Sequence, residues 1–301
     1  MRVTQSMLTG NSMRNLSSSY DRMGKLQDQL ATGKKITKPS DDPVVAMKGM
    51  FYRSNLTGIE QYKRNLSELY LWMENSEAGI DQANQGLQRV RELTIQGKND
   101  SLSSEDRKAI AEELDEIKED LVSTADTQVA GRYIFHGTDV SRSPIADKGT
   151  DGETAPQVAD NLADGSIDSY SIEVSRGVTL KANVNPNNVF SQDMFDTVHN
   201  IQKALESGDI STLDTELENL DKVTDTLSAE RSELGARYNR LEMVDDRLMH
   251  QEITASRVLS DNEDADIERV ITDLKTQESV HRAALGVGAR IIQPTLMDFL
   301  R

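Results

Sequence analysis

Apolar residues recur along most of this chain in alternating steps of three and four, the spacing that lines one face of a helix. Met13, Leu16, Tyr20, Met23, Gln27 and Leu30 form the first such seam, broken once by Gln27. The seam stops at Gly33, a residue suited to a helix C-terminus. A linker, Gly33–Asp42, follows and carries Lys34, Lys35 and Lys38. Asp42 is placed to cap the next helix, and Pro43 to sit in its first turn, where no backbone donor is needed. From Ile59 the seam runs through Tyr62, Leu66, Leu69, Met73, Ser76, Ile80, Ala83, Leu87, Val90 and Thr94. A helix from Pro43 to Gln96 would be about 80 Å long. Gly79 and Gly86 are expected to weaken it slightly. Gly97–Asp100 reads as a turn, and Ser103 with Asp106 as a weak capping box. A third helix with Ile110, Leu114, Ile117 and Leu121 should then pack antiparallel to the second.

The period changes near Gly131. Arg132–Phe135 reads as a strand, and residues 137–168 are rich in Gly, Asp, Ser and Thr. Tyr170, Ile172 and Val174 alternate, as do Val178, Leu180, Ala182 and Val184, with turn residues Ser175-Arg176-Gly177 between them. That pattern predicts a hairpin. Helix returns after Ser191, and a long seam runs from Leu213 through Leu217, Leu220, Thr224, Leu227, Arg231, Leu234, Tyr238, Leu241 and Asp245 to Leu248. Arg231 and Asp245 interrupt it and are expected to pair with other helices. The acidic run Asp261–Asp266 should start or kink the last helix, with Ile267, Val270, Ile271, Leu274, Leu285 and Ile291. The expected fold is mainly α: an elongated rod of heptad helices, both termini at one end, and a small β-rich insert at the tip. The expected divisions are 1–42, 43–136, 137–190 (the insert), 191–260 and 261–301.

Composition agrees with long helices that bury only a stripe. Aromatic residues make up 4% of the 301 residues and hydrophobic residues 36%. There is no cysteine, so disulfides, thiol nucleophiles and cysteine metal sites are excluded. The four histidines have no metal-site spacing. No nucleophile elbow, P-loop or dinucleotide fingerprint is present, and the many carboxylates read as solvated helix faces. Neither a catalytic site nor a cofactor site is expected. The net charge of −17 argues against nucleic acid as a partner. No apolar run suits membrane insertion, and Met1–Asn15 lacks the apolar core of a secretory signal peptide. Charge is nevertheless uneven. Residues 1–64 hold 11 Lys/Arg against 5 Asp/Glu, which reads as a solvated basic patch or as a handling or pairing role for the N-terminal segment.

Three stretches resemble the bacterial flagellin superfamily. Leu30-Ala31-Thr32-Gly33-Lys34-Lys35-Ile36 through Ser40-Asp41-Asp42-Pro43 is similar to its signature after the first helix. Gly86–Leu93 with Gln96–Asn99 is similar to its "L-x-R-x-R-E-L" stretch, and Asp264–Leu300 to its C-terminal helix. Pro43 after the Asp pair, the element Gly131-Arg132-Tyr133-Ile134-Phe135-His136-Gly137 and the short insert point to the hook–filament junction branch rather than to filament subunits. The resemblance implies a structural, non-enzymatic protein of the flagellum, exported unfolded through the flagellar type III apparatus and folding as it assembles. Implied partners are further copies of itself in a ring, hook-associated protein 1, flagellin and an export chaperone. The inner coiled coil would be built on Met13, Leu16, Tyr20, Met23 and Leu30 at one end. Leu274, Leu285, Ile291, Ile292, Leu296 and Leu300 would supply the other. Leu274, Val280 and Leu285 would meet the chaperone. Rival readings are a minor filament flagellin and a cytosolic coiled-coil scaffold.

Overall fold

A computed structural model describes residues 5–99, 102–149, 154–159 and 170–292. The chain is mainly helical. In order come α1 (Gln5–Thr32), α2 (Pro43–Gly97), α3 (Ser104–Ala125), a one-turn α4 (Pro186–Val189), α5 (Gln192–Ser207), α6 (Leu213–Glu263) and α7 (Ile267–Ile292). Between α3 and α4 lie β1 (Gln128–Val129), β2 (Arg132–Tyr133), β3 (Ile145–Asp147), β4 (Gln157–Val158), β5 (Ser171–Ser175) and β6 (Val178–Lys181). They pair two by two, antiparallel: β1 with β2, β3 with β4, β5 with β6.

Local chemistry explains the boundaries. Asp42 Oδ1 accepts from the backbone N–H of Val44 and of Val45, at 2.9 and 3.1 Å, and so opens α2. Ser103 and Asp106 form a reciprocal capping box on α3. Ser191 accepts from Met194 N–H at the head of α5, and Gly208 closes it in the left-handed conformation at φ +73°. The β5–β6 hairpin turns where the alternation predicts. Arg132–Phe135 is not one strand: only Arg132 and Tyr133 pair, across the tight turn Ala130-Gly131, and Ile134 and Phe135 go into the core instead.

The chain divides into two compact units, residues 1–58 with 250–301, and residues 59–249. In the second unit, α2 buries Leu66, Leu69, Met73, Ile80, Leu87 and Val90. Helix α6 buries Leu213, Leu220, Leu227, Leu234, Leu241 and Leu248, one leucine per heptad. Helix α5 adds Met194, Phe195, Val198 and Ile201. Trp72 is 2% exposed, and its ring lies 5.7 Å from that of Tyr170. Arg231 pairs with Glu77 and Asp81 at 2.7 and 3.0 Å, as the interrupted seam suggests. Gly79 and Gly86 do more than weaken α2. A Cβ at Gly79 would lie 2.6 Å from the Phe135 ring, and one at Gly86 3.3 Å from Leu121, so both glycines admit close neighbours.

A polar cluster lies between α3 and α5. Lys118, 4% exposed, reaches Asp115 at 2.5 Å and Gln202 Oε1 at 3.0 Å. Beside it His199 is buried, and its Nδ1 has no hydrogen-bond partner among the described residues. Burial lowers the His199 pKa, helped by Lys203 and Lys118 and opposed by Asp196 and Glu206. The folded state therefore favours neutral imidazole, while the unfolded chain protonates near 6.5. Below that pH the unfolded state binds more protons, so stability falls as the solution is acidified through the depressed folded value. Thermal unfolding of the wild type between pH 7.5 and 5 is expected to drop more steeply than that of His199→Asn. Parallel slopes would contradict this.

Candidate assembly interface

In the first unit α1 and α7 lie side by side. Gln277 Nε2 donates to Ser19 Oγ at 2.8 Å, and the Tyr20 and His281 rings are 6.1 Å apart. Among the less exposed positions of α1 are Ser12, Leu16, Ser19, Met23 and Leu26; among those of α7 are Val270, Leu274, Gln277, His281, Ala284 and Gly288. This differs from the seam read off the sequence. Helix α1 carries two overlapping heptad tracks that share Leu16 and Met23, and it turns the one with small polar residues toward α7. Met13 and Tyr20 remain 59% and 65% exposed. Met7, Leu8 and Leu30 are exposed as well. On α7, Ile267, Ile271, Val280, Leu285 and Val287 are exposed. Ile291 and Ile292 belong to α7, but their side chains lie outside the described residues, as do Leu296 and Leu300 altogether. The sequence reading missed a further patch on the first turns of α2: Val44, Met47, Met50 and Phe51, between 55% and 69% exposed. Its signal was present, since Val44, Met47 and Phe51 are spaced three and four apart.

The bases of these helices meet in a polar junction. Lys34 and Asp264 form an antiparallel backbone bridge: Lys35 N–H donates to Glu263 O at 2.6 Å and Ala265 N–H to Gly33 O at 2.8 Å. Lys34 Nζ lies 2.6 Å from Asp264 and 3.6 Å from Glu263. Arg53 reaches Glu263 at 2.6 Å, and Asn262 Nδ2 donates to Val45 O at 3.0 Å. Glu263, 4% exposed, sits against Gly49, where a Cβ would be 2.4 Å from Oε1. The Lys34 hydrogen bond holds the Asp264 carboxyl below its ordinary pKa, with Ser260 adding to it. Asp264 in turn raises the Lys34 pKa. The basic linker thus finds its partner in the acidic run Asp261–Asp266.

In the second unit a groove of about 830 Å³ is lined by Met73, Glu74, Glu77, Arg231, Leu234 and Tyr238. Arg231 is taken up there in its ion pairs with Glu77 and Asp81. Among the described residues no group of histidine and carboxylate side chains could hold a metal, and no helix is long and apolar enough to cross a membrane.

Residues 3–139 match the bacterial flagellin N-terminal helical region. Flagellar hook-associated protein 3 of Salmonella typhimurium is 25% identical over 94% of this chain and 95% of that protein. The flagellin of Listeria monocytogenes is also 25% identical, over 95% of this chain and 94% of that protein. Among solved structures, a flagellar hook-associated protein from Vibrio parahaemolyticus covers 74% of this chain and 100% of its own length, at TM-score 0.66 and 21% identity. FlgL of Bacillus cereus covers 70% of this chain and 99% of its own, at TM-score 0.58 and 23% identity. The chain thus carries a bacterial flagellin N-terminal helical region over residues 3–139, and along nearly its whole length it is similar both to hook-associated protein 3 and to flagellin.

Proposed function

We infer that this chain is a structural protein of the bacterial flagellum that forms the hook–filament junction on which flagellin polymerises. One observation carries the reading: the terminal helix pair leaves a second apolar stripe uncovered. It packs Leu16, Ser19, Met23, Leu274 and Gln277 at its less exposed positions and leaves Met13, Tyr20, Val280 and Leu285 exposed. Large apolar side chains are worth roughly 1.5–3 kcal/mol each when fully buried, so the outward face is the one that gains on assembly. Partners of matching chemistry are further copies of this chain in a ring, with hook-associated protein 1 below and flagellin above. Residues 1–42 and 261–301 act as an inner coiled-coil domain, marginal in the free subunit and completed by its neighbours. Such a subunit suits unfolded export through the flagellar type III apparatus. An export chaperone would cover Leu274, Val280 and Leu285 in the cytoplasm before that step.

The equal percentage identity to a filament flagellin favours a second reading, a minor filament subunit. Electron microscopy of a deletion strain, with flagellin assayed in the medium, separates the two. The junction role predicts hooks without filaments and soluble flagellin outside the cell. Normal filaments would leave the minor-subunit reading in place.

A further inference from the structure

The seam between α1 and α7 contains one layer that burial of apolar stripes does not require. Ser19 is 3% exposed and sits among Leu16, Met23 and Leu274 on the facing sides of the pair. Its hydroxyl accepts from Gln277 Nε2 at 2.8 Å, its carbonyl from the same amide at 3.4 Å, and His281 Nδ1 lies 3.3 Å from the hydroxyl. The Tyr20 ring flanks His281. A buried polar layer of this kind is satisfied in one alignment and left unpaired in others, so it discriminates between alignments at some cost in stability.

Alignment is otherwise weakly specified. Lys34 and Asp264 are 230 residues apart in sequence, so no tight turn sets how the two helices meet. Both helices repeat every seven residues, and a slip of one heptad would bring seam residue against seam residue again. The polar junction at Gly33 and Ala265 supplies a second fixed point. From Ser19 to Gly33 is fourteen residues, and from Ala265 to the midpoint of Gln277 and His281 is also fourteen. The two fixed points are therefore two heptads apart on both helices, and any heptad slip breaks both together.

We propose that Ser19, Gln277 and His281 are positioning residues that set the register of the terminal helix pair, acting with the Gly33–Ala265 junction. In the set register Leu16 lies opposite His281 and Ala284. A one-heptad slip moves the outward stripe of α7 along that of α1 by about 10 Å. The consequence for ring assembly rests on the function proposed above; the register itself does not.

The chain has no cysteine, so introduced pairs report contacts directly. Leu16→Cys with Ala284→Cys joins positions that face each other. Leu16→Cys with Leu274→Cys joins positions that meet only after a slip, since Leu274 lies ten residues, about 15 Å, further along α7. On mild oxidation of the full chain, the facing pair should cross-link in roughly tenfold excess over the slipped pair, the discrimination expected from an unpaired buried polar group. Adding Ser19→Leu and Gln277→Leu should cut that excess by about threefold or more, the intact Gly33–Ala265 junction supplying what preference remains, with helix content by circular dichroism held or raised. If that variant loses helix, Ser19→Ala with Gln277→Ala takes its place. Equal or absent cross-linking of the two pairs in the parent overturns the proposal. So does an undiminished preference for the facing pair once the polar layer is gone. The cross-link is read on the chain alone, so its failure is distinct from a failure of filament growth.

Discussion

Phe135→Ala is expected to destabilise the second unit by about 3–5 kcal/mol. Phe135 is fully buried, and its ring meets that of Phe190 edge-on, 4.8 Å between centroids. On another side it lies against the bare backbone of α2 at Gly79, where a Cβ would come within 2.6 Å of the ring. Truncation therefore removes a large apolar side chain from a site that cannot collapse, because Gly79 has no atoms with which to fill it. The converse change, Gly79→Ala, overpacks the same contact and should cost about 1–3 kcal/mol. Gly79→Ala combined with Phe135→Leu should cost less than the sum of the single changes, since the smaller side chain makes room for the added methyl. Trp72 is the single tryptophan and is buried in this unit, so its fluorescence in a urea titration reads the transition. A loss under about 1 kcal/mol for Phe135→Ala would mean that the contact is not the close one described.

Gly49→Val should release the base of the terminal helix pair. The added Cβ would stand 2.4 Å from Glu263 Oε1 and so displace a carboxylate that is 6% exposed. Breaking a buried ion pair costs about 3–5 kcal/mol. Arg53 and Lys34 are 62% and 42% exposed, so water screens part of that, and about 2–3 kcal/mol is the better expectation. Hydrogen exchange is the direct readout. Amides near Gly33–Lys35 and Glu263–Ala265 should exchange faster first, followed by those toward Ser19 and Gln277. Glu263→Gln keeps the shape and one acceptor, and should have a smaller effect. Unchanged protection in Gly49→Val would show that Glu263 has room to move without loss.

Much of this was legible in the sequence, for a physical reason. Seams in α2, α3 and α6 follow from side chains at 3.6-residue period needing one dry face, and caps such as Asp42 and Ser103 follow from unpaired helix-end donors. What the sequence hid depends on approach between distant segments. Gly79 resembles a weak point in a helix until Phe135, more than fifty residues on, is seen to occupy the missing side chain's place. Gly49 is the same case with Glu263. In α1 the pattern allowed two tracks, and the choice between them rests on Gln277 and His281, which no periodicity within α1 can report. The linker lysines and the acidic run Asp261–Asp266 were each visible, but their mutual pairing became clear only once Lys34 lay beside Asp264.

The outward face of the terminal pair is the surface proposed to be buried on assembly. The most direct test replaces both Met13 and Tyr20 with glutamate and expresses the chain in the deletion strain. Both residues are more than half exposed, so the purified variant should unfold at the wild-type temperature and be secreted normally. Cells should nevertheless carry hooks without filaments, with flagellin in the medium, because charges placed on that face cannot be buried against a neighbouring subunit. Filaments of normal number and length on those cells would contradict the account.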